Sequence, residues 1–238
     1  MTIGALTIVP ITGIGAVHPG DDIADLTATA AAAQGTPLLD GDCLVVTQKI
    51  VSKAENRLVP IDPDDVAAKH ALVESESVRI VRRRGDLVIA ETRHGWICAN
   101  AGIDLSNVDE GHAALLPVDS DRSAKYVRDA LRARHGVECA VIVSDTFGRP
   151  WRRGLTDVAI GVSGVAAVVD LRETPDANGR VLHVTEVAVA DEIASAAELV
   201  MGKSSGVPVA IVRGLDGGWF RESSSRELVR PAHEDLFR

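Results

Sequence analysis

The sequence predicts an α+β fold with mixed, largely antiparallel sheets and alanine-rich helices. Apolar residues make up 46% of the 238 residues and aromatic residues only 3%, so the core must consist mainly of Val, Ile, Leu and Ala. Such a core suits sheets that are covered by helices. The segments that predict strands do not alternate regularly with those that predict helices, which disfavours a doubly wound parallel sheet.

Three segments carry helix signals. Residues 22–33 are rich in alanine and are followed by Gly35, the type of residue that commonly ends a helix. Ser123 can cap a second helix, which Gly136 ends. The longest predicted helix covers residues 185–201, where apolar residues recur on one face.

Continuous apolar runs predict strands that are buried on both faces. They cover residues 6–10, 43–47, 78–81, 87–90, 139–143, 165–170 and 207–212. A Gly85-Asp86 turn between the third and fourth runs predicts antiparallel pairing there. The length suits a single domain, 1–238, or two intertwined subdomains with a soft boundary in the turn-rich residues 176–179.

Charge and composition exclude several classes of protein. The formal net charge is −9, whereas nucleic-acid binders usually carry a basic excess, so we expect no nucleic-acid partner. We expect neither a membrane span nor a secretory signal, because no apolar run has the required length or flanking charges. The three cysteines are far apart and lie among apolar residues, as in reduced cytosolic proteins, so we expect a cytoplasmic location.

Two short segments resemble nucleotide-binding motifs without completing them. Residues 13–18 lack the third glycine of a dinucleotide fingerprint, and residues 201–204 lack the first glycine of a P-loop. Both segments still contain glycine and offer backbone N–H groups that could bind phosphate.

An acid and a hydroxyl follow the apolar run 139–143. Asp145 and Thr146 offer the hard oxygen ligands that Mg²⁺ or Mn²⁺ prefers, beyond the end of a buried strand. Arg149 and Arg152 come next, and guanidinium groups match the geometry of phosphate or carboxylate. A capping acid followed by solvated arginines explains this segment equally well when it is taken alone.

Two further segments carry groups of the same kind. Asp104 and Asn107 follow a predicted strand and a glycine, and Asp104 could share a metal ion with Asp145. A loop with an Asx turn would have the same composition. Lys53 follows the run 43–47 and could neutralise a phosphate, although a solvated lysine is the alternative.

Seven ordered segments together resemble one family. They are PITGIG…HPGDD, VVTQKIVSKAE, CANAGIDLSNV, LLPVDSDRSA, VIVSDTFGRPWRRG, VTEVAVADEIASAAELVMGK and PVAIVRG. In this order they are similar to the coenzyme F420-0:L-glutamate ligase family, which also occurs as the N-terminal domain of a two-domain F420 biosynthesis protein. The resemblance covers residues 6–237, so the chain would be a stand-alone ligase or an excised domain.

The resemblance implies an activity and its cofactors. Members of the family use GTP and divalent cations to join L-glutamate to the lactyl carboxylate of coenzyme F420-0, and then add further γ-linked glutamates. We therefore expect Mg²⁺ or Mn²⁺, with two ions per site, and K⁺ as a further candidate. Since a carboxylate must be activated before it forms an amide, we expect an acyl-phosphate intermediate. The implied fold is an unusual α+β fold that forms an intertwined homodimer.

The resemblance also assigns site residues. The implied nucleotide contacts are Ile14, Gly15, Ala16, Val17, Gln48, Lys49, Lys53, Asn107, Met201, Gly202, Lys203, Ser204, Ser205, Gly206 and Val207. The implied metal ligands are Asp104, Asp145 and Thr146. Lys53, Arg149 and Arg152 are expected to stabilise the charge that develops during the reaction.

Some contacts and two rival functions stay open. Gln48 and Lys49 replace the small hydroxyl residues of archaeal members, and Lys203 stands where some members carry an acid. A related amide ligase that acts on another phosphorylated acid would share the nucleotide and metal motifs. A non-catalytic module that binds a nucleotide or coenzyme is the second rival, although both metal-type acids are present.

Overall fold

The chain folds into strands and helices that follow one another in irregular order. The computed structural model describes residues 4–106 and 108–236. In chain order the elements are β1 (Thr7–Ile11), α1 (Ile23–Ala33), β2 (Cys43–Thr47), α2 (Gln48–Ala54), β3 (Leu58–Pro60), α3 (Val66–Ser75), β4 (Ser77–Arg84), β5 (Leu87–Thr92), β6 (Ile97–Ala99), β7 (His112–Ala114), α4 (Ser120–Ala130), β8 (Ala140–Arg149), β9 (Arg152–Ser163), β10 (Val169–Asp170), β11 (Glu186–Val187), α5 (Val189–Met201) and β12 (Val209–Arg213). Short 3-10 turns lie at Asn100–Gly102, Gly217–Trp219, Ser225–Leu228 and Ala232–Glu234, and a π-helical turn, Leu131–His135, extends α4.

A five-stranded sheet forms the centre of the fold, in the order β1-β12-β2-β8-β9. β2 and β8 pair in parallel, and the other neighbours in this sheet pair in antiparallel fashion. Within the described residues, three smaller antiparallel sheets accompany it: β4-β5-β6, β3-β7 and β10-β11. The predicted fold class, α+β with mixed and largely antiparallel sheets, is confirmed. The predicted homodimer involves a second chain and stays a prediction.

Helices cover both faces of the central sheet. Along β2, Leu44 and Val46 belong to the same apolar cluster as residues of α1, α2 and α4. Cys43 and Val45 belong to a second cluster, with residues of α5. All four side chains are fully buried. Since alternate residues of a strand face opposite sides, this two-sided burial explains the continuous apolar runs in the sequence.

The pairing of β8 with β9 differs from the prediction. The predicted run ends at residue 143, but β8 continues to Arg149 and turns into β9, a strand that was not predicted. Asp145 and Thr146 therefore lie within a strand and not in a loop after it. The polar segment stays extended because it pairs with β9, in which Asp157 is the partner of Thr146.

Two predicted helix starts are wrong. α4 begins at Ser120 and not after Ser123, because the side chain of Asp119 caps it by accepting a backbone N–H of the first turn. α5 begins at Val189 and not at residue 185, since β11 precedes it and pairs with β10. Among the described residues, no helix combines the length and the apolar character needed to cross a lipid bilayer.

Residues 176–179 form a turn, as their composition suggests. Asp176 accepts the backbone N–H groups of Asn178 and Arg180, each at 2.8 Å, in the connection between β10 and β11. The predicted strand 165–170 is only partly correct. Its last two residues form β10, whereas residues 165–168 do not form a strand. The proposed soft domain boundary at this turn stays a prediction.

Gly161 of β9 allows α4 to pack closely against the central sheet. A Cβ atom at this position would lie 2.3 Å from the backbone O of Ser120, in the first turn of α4. Since backbone cannot move aside as a flexible side chain does, we predict that Gly161→Ala lowers the free energy of unfolding by about 3 kcal/mol. Gly148→Ala, on the paired strand where the space is open, should change it by less than about 0.5 kcal/mol. Denaturant unfolding measures both, and equal stabilities would contradict the close packing.

Candidate active site

A cleft of about 670 Å³ opens at one edge of the central sheet. Its lining comes from five stretches that are distant in sequence: residues 14–15, 47–53, 98–106, 144–157 and 202–208. Glu198 of α5 also lines it. Because all five stretches include residues that the sequence marks as site residues, this cleft is the candidate active site.

The parallel pairing of β2 and β8 creates the floor of the cleft. Thr47 and Ser144 are partners at the carboxyl-terminal side of this pairing. α2 follows β2 directly, so Lys49 and Lys53 line the same cleft as Asp145. The space beyond the carboxyl ends of parallel strands is where α/β proteins commonly bind ligands.

Asp104 is held by a lysine from α2. Its Oδ2 lies 2.7 Å from Nζ of Lys49, and its Oδ1 accepts the backbone N–H of Ser106 at 2.7 Å. Nζ of Lys49 also donates to Oγ of Ser106 at 3.0 Å. Burial raises the pKa of the Asp104 carboxyl, but the hydrogen bonds from Lys49 and Ser106 outweigh burial and hold the pKa below its ordinary value. Asp104 thus closes an Asx turn and at the same time presents an ionised carboxylate to the cleft.

Asp145 is less well compensated than Asp104. Its Oδ1 accepts the backbone N–H of Thr146 at 2.8 Å, and no described side chain forms an ion pair with it. Burial raises the pKa of the Asp145 carboxyl to about 7, and the nearby carboxylates of Asp104 and Asp157 act in the same direction. Because a half-buried carboxylate without an ion-pair partner among the described residues is costly, this position favours a cation that arrives with a ligand.

Asp157 of β9 is a site residue that was not predicted. Its side chain is 2% exposed, and its Oδ1 accepts from Oγ1 of Thr146 at 2.6 Å. Its Oδ2 accepts from Oγ of Ser144 at 3.2 Å. Asp157 adjoins an apolar run, as Asp145 does, so the same local signal could have found it.

Lys203 links the acidic groups on this side of the cleft. Its Nζ lies 2.9 Å from Oδ1 of Asp157 and 3.0 Å from Oε1 of Glu198, and it also donates to Oγ1 of Thr146. Burial lowers the pKa of the Lys203 ammonium, but the hydrogen bonds to Asp157 and Glu198 raise it above its ordinary value. Lys203 is therefore a positively charged group within the cleft.

Most of the residues assigned to the nucleotide line this cleft. They are Ile14, Gly15, Gln48, Lys49, Lys53, Gly202, Lys203, Ser204, Gly206 and Val207. Val17 and Met201 are apolar and lie in the core, 6% and 0% exposed, so they can offer a ligand only their backbone. Ala16 is exposed beside Gly15, and Ser205 bonds to the carbonyl of Met201. Asn107 lies outside the described residues.

Arg149 and Arg152 lie at the tip of the β8–β9 hairpin. Both are exposed, and Nη2 of Arg149 donates to the backbone O of Arg153 at 2.9 Å. They are not among the described residues that line the cleft, although Gly148 beside them is. The extension of β8 carries them away from Asp145, their near neighbour in sequence.

Cys98 also lines the cleft, but its thiol is not a nucleophile at neutral pH. Burial raises its pKa to about 12, and the charge of Asp145 adds to this effect. Thiolate chemistry needs a lowered pKa. The chemistry of the cleft therefore depends on its carboxylates, hydroxyls and ammonium groups.

The oxygen atoms of the cleft fit a divalent cation that arrives with phosphate. Within residues 4–106 and 108–236, no three His, Cys, Asp or Glu side chains form a ready metal cluster. Asp104 and Asp145 nevertheless face one cleft, and Thr146 adds a hydroxyl. Mg²⁺ is usually held by one or two carboxylates while phosphate oxygens and waters complete its shell, so this set is sufficient.

Comparisons with known proteins place the chain in a family. Residues 13–214 match the profile of a family described as F420-0:Gamma-glutamyl ligase. A protein of Methanothermobacter thermautotrophicus named Coenzyme F420:L-glutamate ligase is 44% identical, over 98% of this chain and 99% of its own length. Proteins with the same name from Methanopyrus kandleri and Methanocaldococcus jannaschii are 41% and 38% identical, over 98% and 85% of this chain and 98% and 86% of their own lengths.

Asp157 is expected to stabilise the hairpin side of the cleft. Asp157→Asn removes the charge that pairs with Lys203, so we predict that the free energy of unfolding falls by about 1–3 kcal/mol. Glu198→Gln is the control, because Glu198 contacts the same lysine but is 20% exposed, and it should lose less than about 1 kcal/mol. Denaturant unfolding compares the two variants. A larger loss in Glu198→Gln would show that Asp157 does not have this role.

Proposed function

The chain belongs to the F420-0:gamma-glutamyl ligase family, and we propose that it is a GTP-dependent ligase that joins L-glutamate to the lactyl carboxylate of coenzyme F420-0. We further propose that it extends the product with γ-linked glutamates. The observation that carries the proposal is the convergence of Asp104, Asp145 and Lys49 in one cleft from segments that are distant in sequence. The names of the relatives support the choice of substrates.

The nucleotide is proposed to lie between α2 and the two glycine-containing loops. Gly15 and Gly206 line the cleft without side chains, so their backbone is accessible to phosphate oxygens. Lys49 and Lys53 supply positive charge from α2. A protein with a net charge of −9 needs such local cations to bind a triphosphate. The choice of GTP over ATP rests on the family resemblance.

Ligation is proposed to proceed through an acyl phosphate. An oxygen of the acceptor carboxylate attacks the γ-phosphorus of GTP, the bond to the β–γ bridging oxygen breaks, and GDP leaves with that electron pair. The amine of L-glutamate then attacks the acyl carbon, loses a proton to solvent, and inorganic phosphate leaves with its oxygen. Catalysis of this kind depends mainly on positioning and on stabilisation of charge.

The charged side chains of the cleft support this chemistry. Mg²⁺ or Mn²⁺, when held by Asp104, Asp145 and Thr146, would supply positive charge to phosphate oxygens. Lys53 is proposed to neutralise the charge that develops on the phosphate during transfer. A role for K⁺ stays a prediction from the resemblance.

The arginines of the hairpin tip are proposed to contact the anionic coenzyme. Arg149 and Arg152 are exposed next to Gly148, which lines the cleft, so an acceptor that extends out of the cleft would reach them. Guanidinium groups form paired hydrogen bonds with phosphate and carboxylate. In this position they would stabilise bound substrate more than the transferring phosphate.

The chain is proposed to act as a homodimer. Leu87 and Ile97 share one face of the sheet β4-β5-β6 by their register, and they are 45% and 42% exposed. Ile89, partly buried, lies on the same face. Exposed apolar side chains can mark contacts between proteins, and on this face the strand partners of Leu87 and Ile89 are Arg84 and Arg82. A second copy of the chain is the proposed partner because the family resemblance implies an intertwined dimer.

Asp145→Asn is expected to abolish ligation while leaving the fold intact. The amide keeps the shape of the side chain but lacks the charge that a cation needs. We therefore predict that glutamyl transfer to F420-0, with GTP and Mn²⁺, falls by more than about 100-fold. Mass spectrometry measures the glutamylated product. Asp64→Asn, at an exposed position away from the cleft, is the matched control and should keep full activity. Undiminished turnover in Asp145→Asn would refute the metal role.

The same assay separates the proposal from its two rivals. If the wild type consumes GTP with another phosphorylated acid but forms no glutamylated F420-0, it is a related amide ligase. If it binds nucleotide but consumes none with any acceptor, it is a binding module. A parallel assay with ATP decides the choice of nucleotide.

A further inference from the structure

The ammonium group of Lys203 has its hydrogen bonds fully used. It donates to Oγ1 of Thr146 and lies 2.9 Å from Oδ1 of Asp157 and 3.0 Å from Oε1 of Glu198. An ammonium group has three N–H donors, so these three acceptors use all of them. These three acceptors hold the ammonium group at one point, although the Lys203 side chain as a whole is 56% exposed.

The three acceptors of Lys203 are also suitable ligands for a metal ion. Two carboxylates and a hydroxyl, from β9, α5 and β8, provide hard oxygen atoms of the kind that Mg²⁺ and Mn²⁺ prefer. Nζ of Lys203 lies at the point where these oxygens converge. A divalent cation could not share that point, because it would need the same lone pairs and would be repelled by the ammonium charge.

Lys203 is also difficult to displace. The side chain of Asp157 is 2% exposed, and Lys203 is its ion-pair partner in the described structure. If Lys203 moved away, it would leave a buried and unpaired carboxylate, which is strongly unfavourable.

Lys49 differs from Lys203 in this respect. Among the described residues, its acceptors are Asp104 and Ser106, and the side chain of Asp104 is 32% exposed. Water and an incoming cation can therefore reach the carboxylate of Asp104 more easily than that of Asp157, although the Lys49 side chain is itself 18% exposed. An incoming cation can therefore take the place of the Lys49 ammonium at Asp104, whereas the Lys203 ammonium stays at Asp157.

We infer that the ammonium group of Lys203 takes the place of a second divalent cation, so that the cleft binds one divalent ion, at Asp104 and Asp145, where the family resemblance implies two. The inference rests on the metal-dependent part of the proposed function. Positive charge on the Thr146 side of the cleft is then part of the chain itself and does not depend on the metal concentration.

The role of Thr146 changes accordingly. Its hydroxyl donates to Oδ1 of Asp157 at 2.6 Å and accepts from Lys203. Thr146 therefore positions the ammonium group, and at most one lone pair of its oxygen is left for the ion at Asp145.

The stoichiometry of manganese binding tests this inference without an assay of activity. The whole chain is titrated with Mn²⁺ alone, and the free ion is measured by electron paramagnetic resonance. We expect one bound Mn²⁺ per wild-type chain. Lys203→Met keeps the length of the side chain and removes its charge, so it should bind a second Mn²⁺ at least about tenfold more tightly than the wild type does.

Two matched variants control for charge. Lys203→Arg keeps the positive charge and should bind one ion, and Lys49→Met removes the corresponding charge from Asp104 and should also bind one. Circular dichroism checks that each variant is folded. Mn²⁺ should raise the melting temperature of Lys203→Met by more than that of the wild type, because the second ion neutralises Asp157 and Glu198.

The possible outcomes separate the inference from the proposed function. Two ions bound by the wild type would overturn the inference and leave the ligase proposal in place. One ion in both the wild type and Lys203→Met, with equal melting shifts, would also overturn it, since the vacated position would not be a cation site. No ion bound by the wild type would overturn both the inference and the metal-dependent part of the proposed function.

Discussion

The main physical constraint on this structure is the charge of two carboxylates on neighbouring strands, which hydrogen bonds or counter-charges must compensate. Asp145 of β8 and Asp157 of β9 are one position apart in the strand register, since Thr146 is the partner of Asp157. Buried charges are tolerated only when hydrogen bonds or counter-charges are supplied. Asp157 receives both, from Ser144, Thr146 and Lys203. Asp145 receives one backbone N–H and stays available to an added cation.

The rest of the fold positions the groups that meet this demand. α5 packs against the central sheet and ends at Met201, and the φ of +60° at the following Gly202 turns the chain so that Lys203 extends over the β8–β9 hairpin. The parallel pairing of β2 with β8 brings the lysines of α2 to the cleft. Asp104 lies outside the central sheet and is held by Ala114. The backbone N–H of Asp104 donates to the O of Ala114 at 3.0 Å, and the N–H of Ala114 donates to the O of Asp104 at 2.8 Å. One charged cleft therefore depends on several sheets and on two helix ends.

The parts that were predictable are those with a local signal. β2 was predicted with its observed bounds, because burial on both faces leaves a continuous apolar run in the sequence. Asp145 was found because an acid close after such a run is visible without the fold, and Asp104 was found because it follows a glycine in a polar segment. The contact of Asp157 with Lys203 was not predicted, since it depends on the register of β9, a strand that begins with polar residues. Arg149 was predicted to act beside Asp145 because the two are close in sequence. Since β8 continues as an extended strand, Arg149 lies at the hairpin tip, away from Asp145.

Thermal unfolding with and without Mn²⁺ measures directly whether the cleft needs an added cation at Asp145. At saturating Mn²⁺ the wild type should melt about 5–10 °C higher than without metal, because the ion binds the native state alone. Asp145→Asn should melt no lower than the metal-free wild type, since the half-buried charge that lacks an ion-pair partner is gone, and should gain little from Mn²⁺. If Asp145→Asn melts below the metal-free wild type and still gains the full Mn²⁺ shift, Asp145 is a structural carboxylate and the cation binds elsewhere.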